Sequence, residues 1–90
     1  MADDNARKSA RLKYRERRRR SYGAVIAAAI KEHKTKDQKS VAADIGVSED
    51  VMTDIVSGRR KIELVDIELI GRSLGIDPKR LAAQALDWNV

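Results

Sequence analysis

Apolar side chains recur at three- and four-residue spacing from Tyr22 onward, the spacing of one face of an α-helix. Five segments carry this pattern and none alternates as a strand would. The spacing predicts the inward positions of each helix in turn: Tyr22, Ile26, Ala29 and Ile30; Val41, Ala42 and Ile45; Met52 and Ile55; Leu64, Ile67, Ile70 and Leu74; Leu81, Ala85 and Leu86. The chain is therefore predicted to be all-α.

Capping residues mark the helix ends. Ser21, Asp37, Ser48 and Asp77 stand where side-chain oxygens can accept the first backbone N–H groups, and Pro78 suits a first helical position. Gly46, Ser57-Gly58 and Gly75 mark three helix ends, and helix four runs from about Leu64 to Leu74. These signals place the first helix start at Tyr22, although a helix continuing backwards through the preceding residues is an alternative, because Arg, Lys and Glu favour helices.

Composition agrees with one small helical domain. Ninety residues leave no room for a second core, and the absence of Phe leaves an interior of Ile, Leu, Val and Ala. There is no Cys, which excludes disulfides and thiolate metal sites. No apolar run approaches the ~20 residues of a membrane span and no signal-peptide stretch is evident, so we expect a cytoplasmic protein.

Charge divides the chain at residue 20. Residues 1–20 hold only three acids, and residues 21–90 hold ten basic residues against eleven acids. We therefore predict a basic arm, 1–20, either flexible or a helical extension, joined to a domain, 21–90. Such an arm favours a polyanionic partner, and the alternative is a solvated tail. Its nine basic residues are Arg7, Lys8, Arg11, Lys13, Arg15, Arg17, Arg18, Arg19 and Arg20.

Residues 38–58 have the geometry of a helix-turn-helix. Ala42 supplies the small contact residue that two steeply crossing helices need, and Gly46 supplies the left-handed turn between them. The two helices are expected to pack against the rest of the domain through the apolar residues Val41, Ile45, Val47, Met52 and Ile55. The outward face of the third helix is left for a partner, which in this motif is the DNA major groove.

The stretch QKSVAADIGVSEDVMTDIVSGRRK, followed by LVDIELIGRSLGID, resembles the Cro and phage-repressor (XRE) family of helix-turn-helix regulators. The resemblance covers about Tyr22 to Leu81 and implies a five-helix lambda-repressor-like domain that binds double-stranded DNA as a dimer. It implies that Gln38 bonds a phosphate and braces the recognition helix, and that Arg59, Arg60 and Lys61 lie near the DNA backbone. The outward positions facing bases or flanking phosphates are Ser48, Glu49, Asp50, Thr53, Asp54 and Ser57.

The recognition face departs from that family because it is acidic. Glu49, Asp50 and Asp54 stand where the family carries neutral or basic residues, and carboxylates near phosphates oppose binding. The helix dipole accounts for Glu49 and Asp50, since both lie in a first turn, but not for Asp54. Lys36 also replaces an apolar residue, and Ile62 replaces a common Pro.

A second hypothesis follows from these acids: the scaffold binds and inhibits a regulatory protein, as an antiactivator does. Val51 and Val56 widen the apolar stripe of the third helix, either to fill the core or to contact that partner. Trp88 is a candidate for a homodimer contact.

No catalytic chemistry is evident in the sequence. His33 is the only histidine and is expected to be a solvated cation at a helix end, while Asp44 and Asp66 look like ordinary surface acids. There is no phosphate-binding glycine loop and no metal-ligand spacing. We therefore expect neither an enzyme nor a cofactor or metal site.

Overall fold

The computed structural model describes residues 2–88. Within this range the chain forms five α-helices and no strand, which confirms the all-α prediction. No helix in the described range has the length and apolar character that crossing a membrane requires. The helices are α1 (Ala2–Glu32), α2 (Gln38–Ile45), α3 (Glu49–Val56), α4 (Leu64–Leu74) and α5 (Pro78–Asp87).

The predicted boundaries of α2 to α5 are confirmed by their caps. The carboxylate of Asp37 accepts the N–H of Ser40 at 2.8 Å, and the carboxylate of Asp77 accepts the N–H of Lys79 at 3.0 Å. The Ser48 hydroxyl accepts the N–H of Val51 at 3.2 Å. These contacts satisfy backbone donors that have no partner within the first turn.

The predicted start of α1 at Tyr22 is wrong. Ser21 lies inside a 31-residue helix, is fully buried, and donates its hydroxyl to the Arg17 carbonyl at 3.0 Å instead of capping. The basic arm is therefore the helical extension, because no residue between Arg7 and Arg20 breaks a helix. At 1.5 Å per residue, α1 is about 46 Å long.

The core lies where the second half of α1 packs against the other helices. A close approach of α1 to α3 occurs at Gly23, where a β-carbon would lie 2.7 Å from the carbonyl oxygens of Ile55 and Val56. The buried hydrophobic residues are Val25, Ile26, Ile30, Val41, Ala42, Met52, Ile55, Ile67, Ile70, Leu74, Leu81 and Ala85.

Two predicted core residues lie outside the core. Leu64 is 76% exposed and Leu86 is also exposed, although both have helical spacing to buried neighbours. Spacing gives the direction of a side chain from its helix axis, but it does not show whether another element lies alongside that turn. The sequence left open whether Val51 and Val56 fill the core or contact a partner. Both are half-buried and pack against the core.

Candidate recognition surface

The turn between α2 and α3 is closed by backbone contacts. The N–H of Val47 donates to the Ala42 carbonyl at 3.0 Å, and Gly46 takes the left-handed conformation with φ of 77°. Ala42 is buried beneath the turn. Residues 38–58 therefore form two short helices in a fixed arrangement, as the motif predicts.

Gln38 braces α3 across the turn. Its side-chain amide donates to the Thr53 hydroxyl at 2.9 Å, and that hydroxyl donates to the Glu49 carbonyl at 2.9 Å. The Ser57 hydroxyl likewise donates to the Asp54 carbonyl at 3.2 Å. Because a hydroxyl has one proton, Thr53 and Ser57 present acceptors rather than donors to a partner in this arrangement.

The three acids of α3 differ in their surroundings. Asp54, the mid-helix acid, forms an ion pair with the Arg59 guanidinium at 3.2 Å. Glu49 and Asp50 are exposed in the first turn, and no cation of the described residues lies within ion-pair distance of either. The uncompensated negative charge of α3 is therefore confined to its N-terminal end.

The basic arm and the basic loop after α3, separate in the sequence, meet in the structure. A groove of about 380 Å³ has Arg15, Arg18 and Arg19 of α1 on one side and Lys61 on the other, with Tyr14 and Tyr22 in its walls. A second concavity brings Arg19 and Arg20 beside Ser57 and Arg59, and Glu16 is the one acid among the described residues of its wall. We call Arg15, Arg19, Arg20, Arg59 and Lys61 the cationic ridge, which flanks the C-terminal end of α3.

The remaining basic residues lie outside this ridge. Arg60 is exposed and lines a different concavity with Glu63 and Asp66. The other exposed cations of the arm lie N-terminal to the ridge or beside it on α1: Arg7, Lys8, Arg11, Lys13 and Arg17.

Arg18 has a role that sequence reasoning missed. Its guanidinium donates to the carbonyls of Ala85 and Leu86, both at 3.1 Å, at the C-terminal end of α5. The guanidinium also lies 5.3 Å from the centroid of the Tyr14 ring. Tyr14 and Arg18 are four residues apart on α1, a spacing that brings side chains together, but no sequence signal indicated the contact with α5.

Two polar residues outside the motif form contacts that the sequence did not predict. Nδ1 of His33 accepts the N–H groups of Thr35 and Lys36 at 3.2 and 3.0 Å, so the half-buried ring holds the turn that follows α1. Asp44 lies on the surface, as predicted, and in addition forms an ion pair with Lys36 and accepts the Ser73 hydroxyl at 2.6 Å. Among the described residues, no group of three or more acids or histidines could hold a metal ion.

Trp88 is 41% exposed at the end of α5. It borders an open concavity of about 580 Å³ between α1, α4 and α5, together with Val25, His33 and Leu74. The homodimer contact predicted for Trp88 stays a prediction.

Comparison with known proteins assigns no family, since the chain matches no protein-family model and no curated protein. The resemblance to the Cro and phage-repressor family therefore rests on the motif residues.

Proposed function

We propose that this protein is a helix-turn-helix transcriptional regulator of the Cro and phage-repressor (XRE) type, with a lambda-repressor-like fold, that binds double-stranded DNA through α3. The observation that carries the proposal is the cationic ridge. Two basic segments some forty residues apart in the chain lie together at the C-terminal end of the second helix of the motif. A row of cations beside a recognition helix is suited to phosphate contacts that fix its position on the duplex.

In this proposal α3 lies in the major groove and the ridge lies on the flanking phosphates. Gln38 holds α3 in place through Thr53. The outward face offers acceptors, namely the carboxylates of Glu49 and Asp50 and the hydroxyl oxygens of Thr53 and Ser57. Acceptors match the amino groups of cytosine and adenine in the major groove, so we expect preference for sites that present them. The proposal assigns no catalytic residue and no cofactor.

Duplex binding at a series of salt concentrations tests the contribution of the ridge. Each phosphate contact contributes ~0.9 to the slope of log affinity against log salt. The double variant R15Q/K61Q removes two ridge cations, so the slope should fall by about 1.8. The matched control K79Q/R80Q removes two exposed cations from the first turn of α5 and should leave the slope unchanged.

Equal slopes for the two double variants would contradict the proposal, because general basicity would then account for binding. Equal affinity for an operator-containing duplex and a scrambled duplex would also contradict the proposal, because the basic arm would then attract DNA of any sequence. The operator-containing duplex is obtained by repeated selection of bound sequences from a pool of random duplexes.

A second candidate function is supported by the exposed acids of α3. Glu49 and Asp50 project from its first turn without an ion-pair partner in the described chain, while the mid-helix acid is paired. A cluster of this kind suits a basic protein surface, such as the DNA-binding face of a transcription activator. In that case the protein would act as an antiactivator.

The variant E49Q/D50N separates the two candidates because it keeps side-chain size and removes both charges. For a protein partner, it should weaken capture of the partner by removing charge complementarity. For DNA, it should strengthen binding to nonspecific duplex by removing repulsion from phosphates. Affinity for a random duplex and for candidate activators, measured on the same preparation, distinguishes these outcomes.

A further inference from the structure

The outer face of α4 is unexpectedly apolar. Leu64, Val65 and Leu69 are 76%, 52% and 39% exposed. At 100° per residue they share an arc of about 140° with Glu68 and Arg72, both of which are also exposed. The opposite side of the same helix carries the buried residues Ile67, Ile70 and Leu74.

This face differs from the scattered apolar residues that are normal on a protein surface. Three large aliphatic side chains lie within two turns of one helix and are not covered by any described part of the chain. A contiguous apolar patch with charged residues beside it is typical of an interaction surface.

The two charges on this face indicate which partner fits it. Glu68 and Arg72 are four residues apart, and neither takes part in an ion pair within the described residues. When two copies of such a helix pack antiparallel about a two-fold axis, each glutamate can lie opposite the arginine of the other copy. The outer face of α4 can therefore pair with a copy of itself, because its two opposite charges can meet those of the copy and its other large exposed side chains are apolar.

We propose that the outer face of α4 is a self-association surface, occupied by α4 of a second copy of this chain in the antiparallel direction. Pairing Glu68 with Arg72 of the second copy places the two-fold axis level with Ile70. Leu69 of each copy then lies one residue from the level of the axis, and Val65 and Leu64 lie level with Gly75 and Ile76, which follow the C-terminal end of the other α4. This contact does not depend on the proposed DNA binding and is measured in its absence.

Sedimentation equilibrium of the full chain over a concentration series tests the contact. The wild-type protein should approach twice the 10.1 kDa of one chain. The single variants E68R and R72E place like charges opposite one another twice, so each should raise the dissociation constant by at least about tenfold. The exchange variant E68R/R72E restores both pairs and should restore the dimer.

Lys79→Glu, a charge reversal on the exposed first turn of α5, is the control and should leave the mass unchanged. Rescue by the exchange variant shows that the fold tolerates substitution at both positions together, and circular dichroism checks directly that each single variant folds. A wild-type mass of one chain up to millimolar concentration would overturn the proposal. So would single variants that remain dimeric, an exchange variant that stays monomeric, or a dimer that Trp88→Ala dissociates and E68R does not.

Discussion

At the scale of single residues, Asp44 connects three parts of the chain. On α2, its carboxylate pairs with the Lys36 ammonium from the loop before the helix and accepts the Ser73 hydroxyl from α4. The Lys36 contact, followed by the Ser73 hydrogen bond, lowers the pKa of Asp44 below the usual value of an aspartate. The ionised form is therefore stabilised more in the folded chain than in the unfolded chain.

This lowered pKa predicts a loss of stability in acid. The stabilisation by Asp44 is complete above the ordinary pKa of an aspartate, about 3.9, and is lost as pH falls through the lower folded value. Urea unfolding at a series of pH values should show stability decreasing below about pH 4, and Asp44→Asn should make that decrease shallower.

Part of the slope should remain in the Asp44→Asn variant. The pKa of Asp37 is also lowered, first by the backbone N–H of Ser40 and then by its hydroxyl. If wild-type and Asp44→Asn curves run parallel through this acid range, the contacts of Asp44 contribute nothing to folding. Lys36→Met in each background reports how much of the effect belongs to the ion pair.

At the scale of helices, Arg18 attaches α1 to the end of α5. The last carbonyls of a helix have no partner within it, and a guanidinium near them also opposes the negative end of the helix dipole. Arg18 satisfies two such carbonyls, those of Ala85 and Leu86. One cation of the arm thus serves the fold rather than a partner.

Arg18→Gln should therefore weaken the attachment of α5 to α1. Loss of two hydrogen bonds from a charged donor is expected to lower the free energy of unfolding by about 1–3 kcal/mol. Hydrogen exchange of the backbone amides between residues 81 and 88 should accelerate. Arg17→Gln, an exposed neighbour on the same helix, is the control and should leave both quantities unchanged. Equal effects of the two variants would mean that the contact with α5 is not responsible.

The helices α2 to α5 were predictable because their ends are determined locally. Asp37, Ser48 and Asp77 cap adjacent backbone groups, and Gly46 and Gly75 adopt the left-handed turns that end α2 and α4. These interactions involve residues two to five positions apart, so the sequence alone contains them. The turn between α2 and α3 was predictable for the same reason.

Features that depend on distant parts of the chain were not predictable. Ser21 is a residue type that can cap a helix, but it lies inside α1 and the packing of the other helices buries it. Leu64 has core spacing but no neighbour beside its turn, and the meeting of Arg19 with Arg59 depends on how α1 crosses α3. Helical periodicity contains no information on such crossings.

At the scale of the whole molecule, the arm makes the protein elongated. The principal extents are 53, 25 and 19 Å, and the radius of gyration is 14.3 Å. A compact chain of this length would have a radius of gyration of about 12 Å. The difference arises because the first half of α1 projects beyond the helical body, and the side chains of residues 4–17 are exposed.

Truncation of the arm should therefore have two separable effects. A chain beginning at Tyr14 keeps Arg18 and the ridge, so its melting temperature should match that of the full chain. A chain beginning at Ser21 loses Arg18 and should melt several degrees lower, about 4–8 °C for each kcal/mol lost. Calorimetry measures both, and equal melting temperatures for the two truncations would contradict a structural role for residues 14–20.

The attachment of α1 to α5 also affects how the chain is made. Arg18 and its two acceptors are 67 and 68 residues apart, so α1 is synthesised well before the helix to which it attaches. At roughly 5–20 residues per second, the ribosome needs several seconds to add those residues. Throughout that interval α1 lacks the helix α5 that packs against it, so the nascent chain exposes apolar surface of α1 to which a chaperone can bind before α5 emerges.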